Sequence, residues 1–348
     1  MKKLLGIFIF LLILYVLILF ATIRENWGSN HFNVGQRIGL YGILCLGAGV
    51  LIVSGGIDLS IGSVVGLCAC VFCVLVLKWK LPIPAAMILT VLVGGSVGLI
   101  NGLIVTYIRL QPFVVTLCGL FIYRGAARWV AGDQPPQMAS TVESLHQFFG
   151  GEFLAIPIYL WLLLVLFAIT TVFLHFTIYG RYLYAIGSNE RAARYSGINV
   201  DFYKIFAYVL CSMFAAIYAL VYVINHISVQ PSDTGSLSEL EAIAGAVIGG
   251  CSLRGGDGTT VGMVLGTAIM VLLRNFTNMW GFRSELEPTV LGGALLVCAI
   301  LDELLRRGLT WRDVWAFLCY SILGRIILAA AALAFVYGAV RLVLRFPS

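Results

Sequence analysis

Long apolar runs, separated by short polar or charged stretches, dominate the hydrophobic pattern of the chain. A helix needs about 20 apolar residues to cross the hydrocarbon core of a bilayer. This spacing predicts about ten spanning helices, over residues 4–23, 39–53, 61–77, 85–108, 113–131, 156–179, 203–224, 237–248, 261–279 and 286–305. The Lys and Arg bias of the intervening loops predicts that both ends of this set are cytoplasmic.

The pattern changes after Arg307. Residues 316–341 are apolar enough for an eleventh span, but Arg325 lies within them and Arg345 follows, so an interfacial or re-entrant helix is the alternative. We therefore predict an all-α polytopic membrane protein, with a transmembrane domain over residues 1–307 and a C-terminal extension over residues 308–348.

A polar stretch at residues 54–63 interrupts the pattern where a membrane helix is expected to continue. A helix can break at membrane depth only where protein or water satisfies its backbone polar groups. An acid at that depth, here Asp58, is costly and suggests a functional site. The alternative is a short polar turn between two helices at the membrane surface.

A second interruption, at residues 251–260, follows another short apolar helix, so the two breaks suggest two related halves. Paired Gly-interrupted short segments indicate a transport path between repeats. Broken helix ends offer N–H and C=O groups, which suit a hydroxyl-rich neutral ligand better than a bare ion. We expect Asp58 to cap the broken ends without touching the solute. The candidate path residues are Gly55, Gly56, Asp58, Ser60, Ser63, Gly249, Gly250 and Ser252.

The longest predicted internal loop, residues 180–204, contains a capped helix of about two turns. Ser188 or Asn189 can cap its start, and Gly197 can end it. A short amphipathic helix on the cytoplasmic side suits docking into a partner's groove. A plain surface loop is the alternative.

Two features lie on the side of the membrane that is predicted to be extracytoplasmic. Residues 132–155 carry three acids and no Lys or Arg, as in an external loop large enough to meet an extracytoplasmic partner. Arg124 and Arg128 lie one helical turn apart near the outer end of the fifth span. We expect both arginines to snorkel to the membrane interface; a contact with solute is the alternative.

Composition agrees with a membrane protein. Hydrophobic residues make up 61% of the chain and charged residues 11%, against about 25% charged in soluble domains. The net charge of +6 lies mostly at the ends of apolar runs, where it does not indicate nucleic-acid binding. The first apolar run is too long for a typical signal peptide, which favours a first spanning helix with a cytoplasmic N-terminus.

Motifs for catalysis are missing from the sequence. The nine cysteines lie mostly in apolar segments and lack zinc-site spacing, so we interpret them as packing residues. The chain has no nucleotide-binding loop, nucleophile elbow or paired-aspartate motif. We therefore predict no enzyme activity, metal or cofactor, and any energy for active transport must come from another polypeptide.

Two stretches resemble bacterial ABC-transporter permeases for monosaccharides, the ribose/galactose/xylose type. The sequence Gly55-Gly56-Ile57-Asp58-Leu59-Ser60-Ile61-Gly62-Ser63 resembles their signature, and residues 184–199 resemble their cytoplasmic coupling loop. Residues 111–117 and 244–253 are similar to further conserved stretches of that family. The similar stretches are in the family's order.

This resemblance implies a permease subunit in the bacterial inner membrane that pairs with itself or with a close relative. A periplasmic binding protein would deliver a monosaccharide to the external loops, and a separate cytoplasmic ATPase would supply energy. The ATPase would grip a coupling helix built from Ser188, Asn189, Glu190, Arg191, Ala192, Ala193, Tyr195, Ser196, Gly197 and Ile198. The C-terminal extension departs from the family pattern.

Two other functions remain open at this point. A permease for branched-chain amino acids has similar topology, although the stretch at Gly55 to Ser60 favours the sugar branch. A self-sufficient secondary carrier or channel would take up solute without an ATPase. An intramembrane enzyme would need a nucleophile or metal constellation that the sequence lacks.

Overall fold

The computed structural model describes residues 27–279 apart from 133, 137 and 227, together with isolated helical positions at 7, 8, 11, 12, 15, 16, 289, 292, 293 and 296. The predicted first and tenth spans, the domain boundary at 307 and the extension with its candidate eleventh span lie outside the continuously described part.

Helices carry nearly all of this region. They are α1 (Trp27–Val53), α2 (Ile61–Leu77), α3 (Ile83–Tyr107), α4 (Pro112–Ala131), α5 (Ala139–Phe149), α6 (Ile158–Thr171), α7 (Ile178–Ser188), α8 (Glu190–Tyr195), α9 (Val200–His226), α10 (Ser238–Ile248) and α11 (Thr260–Met279). A two-stranded antiparallel hairpin, β1 (Glu152–Phe153) and β2 (Ile156–Pro157), precedes α6. One π-helical turn, Val172–Phe176, extends α6.

Six helical segments within the described residues are long and apolar enough to cross a membrane. They are Asn30–Val53, Ile83–Tyr107, Pro112–Ala131, Ile158–Phe176, Val200–His226 and Thr260–Met279. The prediction of an all-helical, multi-pass architecture is confirmed. Helix α2 is apolar but shorter, with the predicted limits of 61–77, and α10 has only 11 residues.

The sequence also predicts an external loop, residues 24–37, between the first two spans, and this prediction is wrong from residue 27 onward. Helix α1 begins at Trp27 and runs without interruption to Val53. Its first turns are polar, so a count of apolar residues misses them. The structure pairs part of this polar face across the bundle, because Asn275 Nδ2 donates to Asn30 Oδ1 at 2.8 Å.

The predicted internal loop at 180–204 is also corrected, because residues 180–188 belong to α7. The chain leaves the π-helical turn in an extended conformation at Thr177, whose side chain accepts a hydrogen bond from the Gly180 amide. Gly180 packs against the backbone of Leu174, where a Cβ would overlap it. A cap and a glycine thus start a new helix where hydropathy alone predicts the end of a span.

The external segment 132–155 is likewise more ordered than a loop. It contains α5 and the first hairpin strand, and Met138 and Val142 are buried. His146 Nδ1 lies 2.8 Å from the Ile224 carbonyl oxygen, which fixes α5 against the end of α9.

Polar contacts show which helix ends lie together. We call the end of the bundle that holds α8 the short-helix end. Thr171 and Thr260 share a hydrogen bond of 2.8 Å there. The Asn30–Asn275 bond lies at the opposite end. Between the two ends, α1 packs against α6, α9, α10 and α11, and α9 packs along α2 and α3.

Candidate functional site

The first break is buried inside the helix bundle. Asp58 is 1% exposed, and its Oδ1 accepts hydrogen bonds from the Ser60 amide at 2.7 Å and from Ser60 Oγ at 2.5 Å. Asn101 of α3 donates to Ser60 Oγ at 3.1 Å, and Tyr123 of α4 donates to Asn101 Oδ1 at 2.7 Å. This burial excludes an exposed surface turn.

The carboxylate of Asp58 acts locally on the start of α2. It holds Ser60, the residue preceding that helix, through backbone and side chain together, while Ser63 Oγ donates to the Ser60 carbonyl at 2.7 Å. Asp58 Oδ2 has no hydrogen-bond partner among the described residues. Asp58 thus fixes a turn just before α2, and Ser60, at the N-cap position, makes no side-chain capping bond. Gly56 packs on Leu51, whereas Gly55 is exposed with φ of +82°.

The second break, residues 249–259, is held by hydrogen bonds between its own residues. The Ser252 amide donates to the Asp257 carbonyl at 3.1 Å, and Ser252 Oγ accepts from the Arg254 amide at 3.2 Å. Gly249 packs against the backbone of Gly262 with no space for a Cβ, so it serves close packing of α10 on α11. Gly250 follows with φ of +93°.

The two breaks meet at the short-helix end. The Gly256 amide donates to the Val53 carbonyl at 2.9 Å. A Cβ on Gly255 would lie 2.8 Å from Gly55 Cα and 2.9 Å from Gly187 Cα, and a Cβ on Gly187 would overlap Val53 O and Gly256 N. We call Gly55, Gly187, Gly255 and Gly256 the glycine junction. It brings the last turn of α7 against both breaks.

Sequence reasoning missed Gly187. Its position in a predicted loop gave no reason to expect a close backbone approach. The available signal was its place three residues before the short helix, in the stretch that resembles the coupling loop.

The predicted short helix is present as α8. Asn189 caps it, with Oδ1 accepting from the Ala192 amide at 3.0 Å, so of the two candidate caps the structure uses Asn189 and not Ser188. Gly197 ends the helical segment with φ of +82°. Ala193 is buried beside Ile186 and Val200.

Ion pairs fix one face of α8 to α9. Lys204 Nζ lies 2.5 Å from Glu190 Oε2, and Arg194 Nη2 lies 2.7 Å from Asp201 Oδ1. The bond to Asp201 raises the pKa of Arg194. A cavity of about 530 Å³ separates these pairs from the turn that holds Arg109.

The opposite side of α8 makes no ion pair to α9 among the described residues and points away from the bundle. Tyr195 is 92% exposed. Its exposed neighbours among the predicted coupling residues are Ser188, Asn189, Arg191, Ala192, Ser196 and Gly197. Ile198 is half-buried beside Ala193. An exposed tyrosine on a helix held by its opposite face is a typical anchor for a protein partner.

Arg124 does not snorkel, which corrects the prediction made for it. Its Nη1 donates to the Thr234 carbonyl at 2.6 Å, and weaker contacts of 3.5 Å reach the carbonyls of Pro231 and Gly62. The guanidinium therefore ties the segment before α10 to the start of α2. Arg128, one turn later, is exposed.

The sequence profile of the family described as "Branched-chain amino acid transport system / permease component" matches residues 30–300. The chain is 34% identical to the ribose import permease RbsC of Escherichia coli (strain K12), over 84% of this chain and 91% of the relative. It is 34% identical to RbsC of Bacillus subtilis (strain 168), over 85% and 90%. No solved structure matches the chain significantly.

A third relative is the autoinducer 2 import system permease LsrD of Enterobacter sp. (strain 638), 34% identical over 78% of this chain and 83% of the relative. The family match over residues 30–300 spans both breaks, the glycine junction and α8. Together with the apolar helices, they identify a multi-pass transport subunit of the bacterial inner membrane. The chain belongs to the family of branched-chain amino acid transport system permease components, the permease family that matches residues 30–300.

Proposed function

We propose that this chain forms the translocation path of an ATP-driven importer for a monosaccharide. The observation that carries the proposal is the short link between α8 and the two breaks. Only Ser188 and Asn189 separate Gly187 from α8. A partner that pulls on α8 therefore acts directly on the glycine junction.

An ATPase subunit on the cytoplasmic side is the proposed partner of α8. The exposed Tyr195 and Arg191 give it an aromatic and a charged contact, and Tyr and Arg are enriched among interface hot spots. The ion pairs on the opposite face keep α8 attached to α9. A movement of the ATPase is therefore transmitted through α8 to the helix bundle. A loop without these ion pairs would bend instead.

The proposed gate consists of the two breaks. Each joins helices that pack in the bundle, and each lacks regular helical hydrogen bonds at the junction. Backbone without a regular helix can rearrange through a few dihedral angles, as hinges do. Displacement of Gly187 separates Val53 from Gly256 and opens a path beside the candidate residues Gly55, Asp58, Ser60 and Ser252.

The solute class follows from the relatives and from the signature stretch. The relatives are named as import permeases for ribose and for autoinducer 2, and residues 55–63 resemble the sugar branch. The family description itself names branched-chain amino acids, so a branched-chain amino acid is the second candidate solute.

The complete importer has further proposed parts. A second permease subunit, identical or closely related, completes the path, and a periplasmic binding protein delivers the sugar to the end opposite α8. The N-terminus then lies in the cytoplasm, because α1 runs from that opposite end toward the short-helix end and the predicted span over residues 4–23 precedes it. The membrane lipid surrounds the exposed apolar faces of α3 and α4.

Reconstitution in liposomes tests the proposal. The chain is combined with its cognate ATPase and binding protein, and uptake of D-ribose, D-galactose, D-xylose and L-leucine is measured with and without ATP. We expect ATP-dependent uptake of one sugar. Uptake without the ATPase supports a secondary carrier, and ATP-dependent uptake of leucine alone supports the amino-acid alternative.

A further inference from the structure

A polar cavity of about 610 Å³ opens at the end of the bundle opposite α8. Three helices form it: the first turns of α1, the last turns of α9 and the last turns of α11. None of the predicted path residues lines it, because both breaks lie toward the other end. Its size is in the range of small-molecule sites.

Carboxamides supply much of the lining. Asn33 and Gln36 come from α1, Asn225 from α9 and Asn278 from α11. Each carboxamide offers both donors and an acceptor. Sugar hydroxyls likewise donate and accept, so four such groups from three helices match a ring of hydroxyls better than they match a single charge.

The floor of the cavity is fixed by a half-buried network. Arg274 Nη2 lies 2.5 Å from Glu241 Oε1, and Arg274 Nη1 donates to Tyr41 OH at 3.0 Å. This pairing neutralises the charge of Arg274 and orients the Tyr41 ring, which lies 6.1 Å from the Tyr218 ring. The floor therefore presents aromatic surface whose position is set by hydrogen bonds.

The ionisable side chains that line the cavity are few. Arg274 is paired with Glu241, and the others in the lining are Arg37 and His226. No carboxylate is among the described residues that line it, which disfavours a cation. Four carboxamides beside two tyrosine rings are the chemistry that recognises an uncharged polyol.

We propose that this cavity is an entry site that binds an uncharged, hydroxyl-rich solute before it reaches the breaks. The proposal rests on the proposed function and deepens it, because it assigns a first solute-binding site within one subunit. Docking of a loop of the binding protein into the same cavity is the competing occupant, and the experiment separates the two.

Cysteine protection tests the site in the full-length protein in lipid nanodiscs. Asn278→Cys is made in a Cys118→Ser background, because Cys118 is exposed, and the rate of maleimide labelling is measured with D-ribose, D-galactose or D-xylose. At a sugar concentration about ten times the apparent dissociation constant, mass action predicts a labelling rate about tenfold lower. Asn225→Cys serves as a second reporter if Asn278→Cys does not fold.

The control is Gln147→Cys, on the exposed face of α5, where we expect sugar to leave labelling unchanged. In an Asn33→Leu variant of the reporter, loss of one hydrogen-bonding group should raise the sugar concentration for half-protection by about threefold to tenfold.

Uptake by the reconstituted importer is measured in parallel. Uptake of a sugar that gives no protection at either reporter overturns the entry site and leaves the proposed function standing. Protection by the sugar-free binding protein alone also overturns it, in favour of protein docking. Absence of both uptake and protection for every sugar contradicts the proposed function and the site together.

Discussion

The amide of Gly256 donates a 2.9 Å hydrogen bond to the carbonyl of Val53, although the two residues lie about 200 positions apart in the chain. Val53 ends α1 just before the first break, and Gly256 lies in the second. The bond therefore closes one break onto the other. Gly187 packs on both at a distance that only glycine allows, so three segments distant in sequence pack together at one point.

The outward face of α8 gives the first prediction. Tyr195→Ala should weaken binding of the ATPase subunit about 30-fold, because an exposed aromatic anchor contributes about 2 kcal/mol and each 1.4 kcal/mol is tenfold. Affinity is measured with the purified permease in nanodiscs. The matched control is Tyr107→Ala, since Tyr107 is 70% exposed at the same end of the bundle. Equal weakening in both variants would contradict a specific role for α8.

The hydrogen bonds that Asp58 accepts from Ser60 give the second prediction. Asp58→Asn should fold and transport normally, because the asparagine Oδ1 can accept the two hydrogen bonds from Ser60. Asp58→Leu removes the acceptor and should cost about 1–3 kcal/mol of stability. Thermal unfolding and uptake are measured for both variants. Loss of uptake in well-folded Asp58→Asn would show that the charge itself is needed.

Arg124 gives the third prediction. Arg124→Met leaves the Thr234 carbonyl without its charged donor, which should destabilise the segment before α10 by about 1.5–3 kcal/mol. Hydrogen exchange of the amides at 230 and 232–237 should become faster. Arg128→Met, one turn away on the same helix and exposed, is the control. Unchanged exchange in Arg124→Met would restore the snorkelling interpretation.

Much of the fold could be predicted from hydropathy. The limits of α2 agree with the prediction, and those of α3 and α4 agree within two residues. The errors occur where polar side chains are paired inside the bundle or where a cap decides the structure. Asn30 and Asn275 satisfy each other, and Thr177 starts α7; neither effect is visible in a count of apolar residues.

The candidate site, like the fold, could be predicted only in part from the sequence. Glycine spacing marked both breaks, and the cap and the glycine of α8 marked its limits. The contact between the two breaks is a property of the tertiary structure. Gly187 and Gly256 come together through the packing of α1, α7 and the segment before α11. No local sequence pattern predicts that contact. For the same reason the sequence pointed to Arg124 at an interface, whereas the fold brings carbonyl oxygens to it.

Gly187→Ala tests the central claim most directly. The added Cβ overlaps Val53 O and Gly256 N, whereas in the control Gly125→Ala the Cβ meets nothing within 4 Å. ATP-driven uptake and ATPase binding are measured for both variants. We expect Gly187→Ala to bind the ATPase with unchanged affinity and lose at least about tenfold in uptake, the effect of roughly 1.4 kcal/mol, with Gly125→Ala unchanged in both. Normal uptake by Gly187→Ala would contradict coupling through the glycine junction.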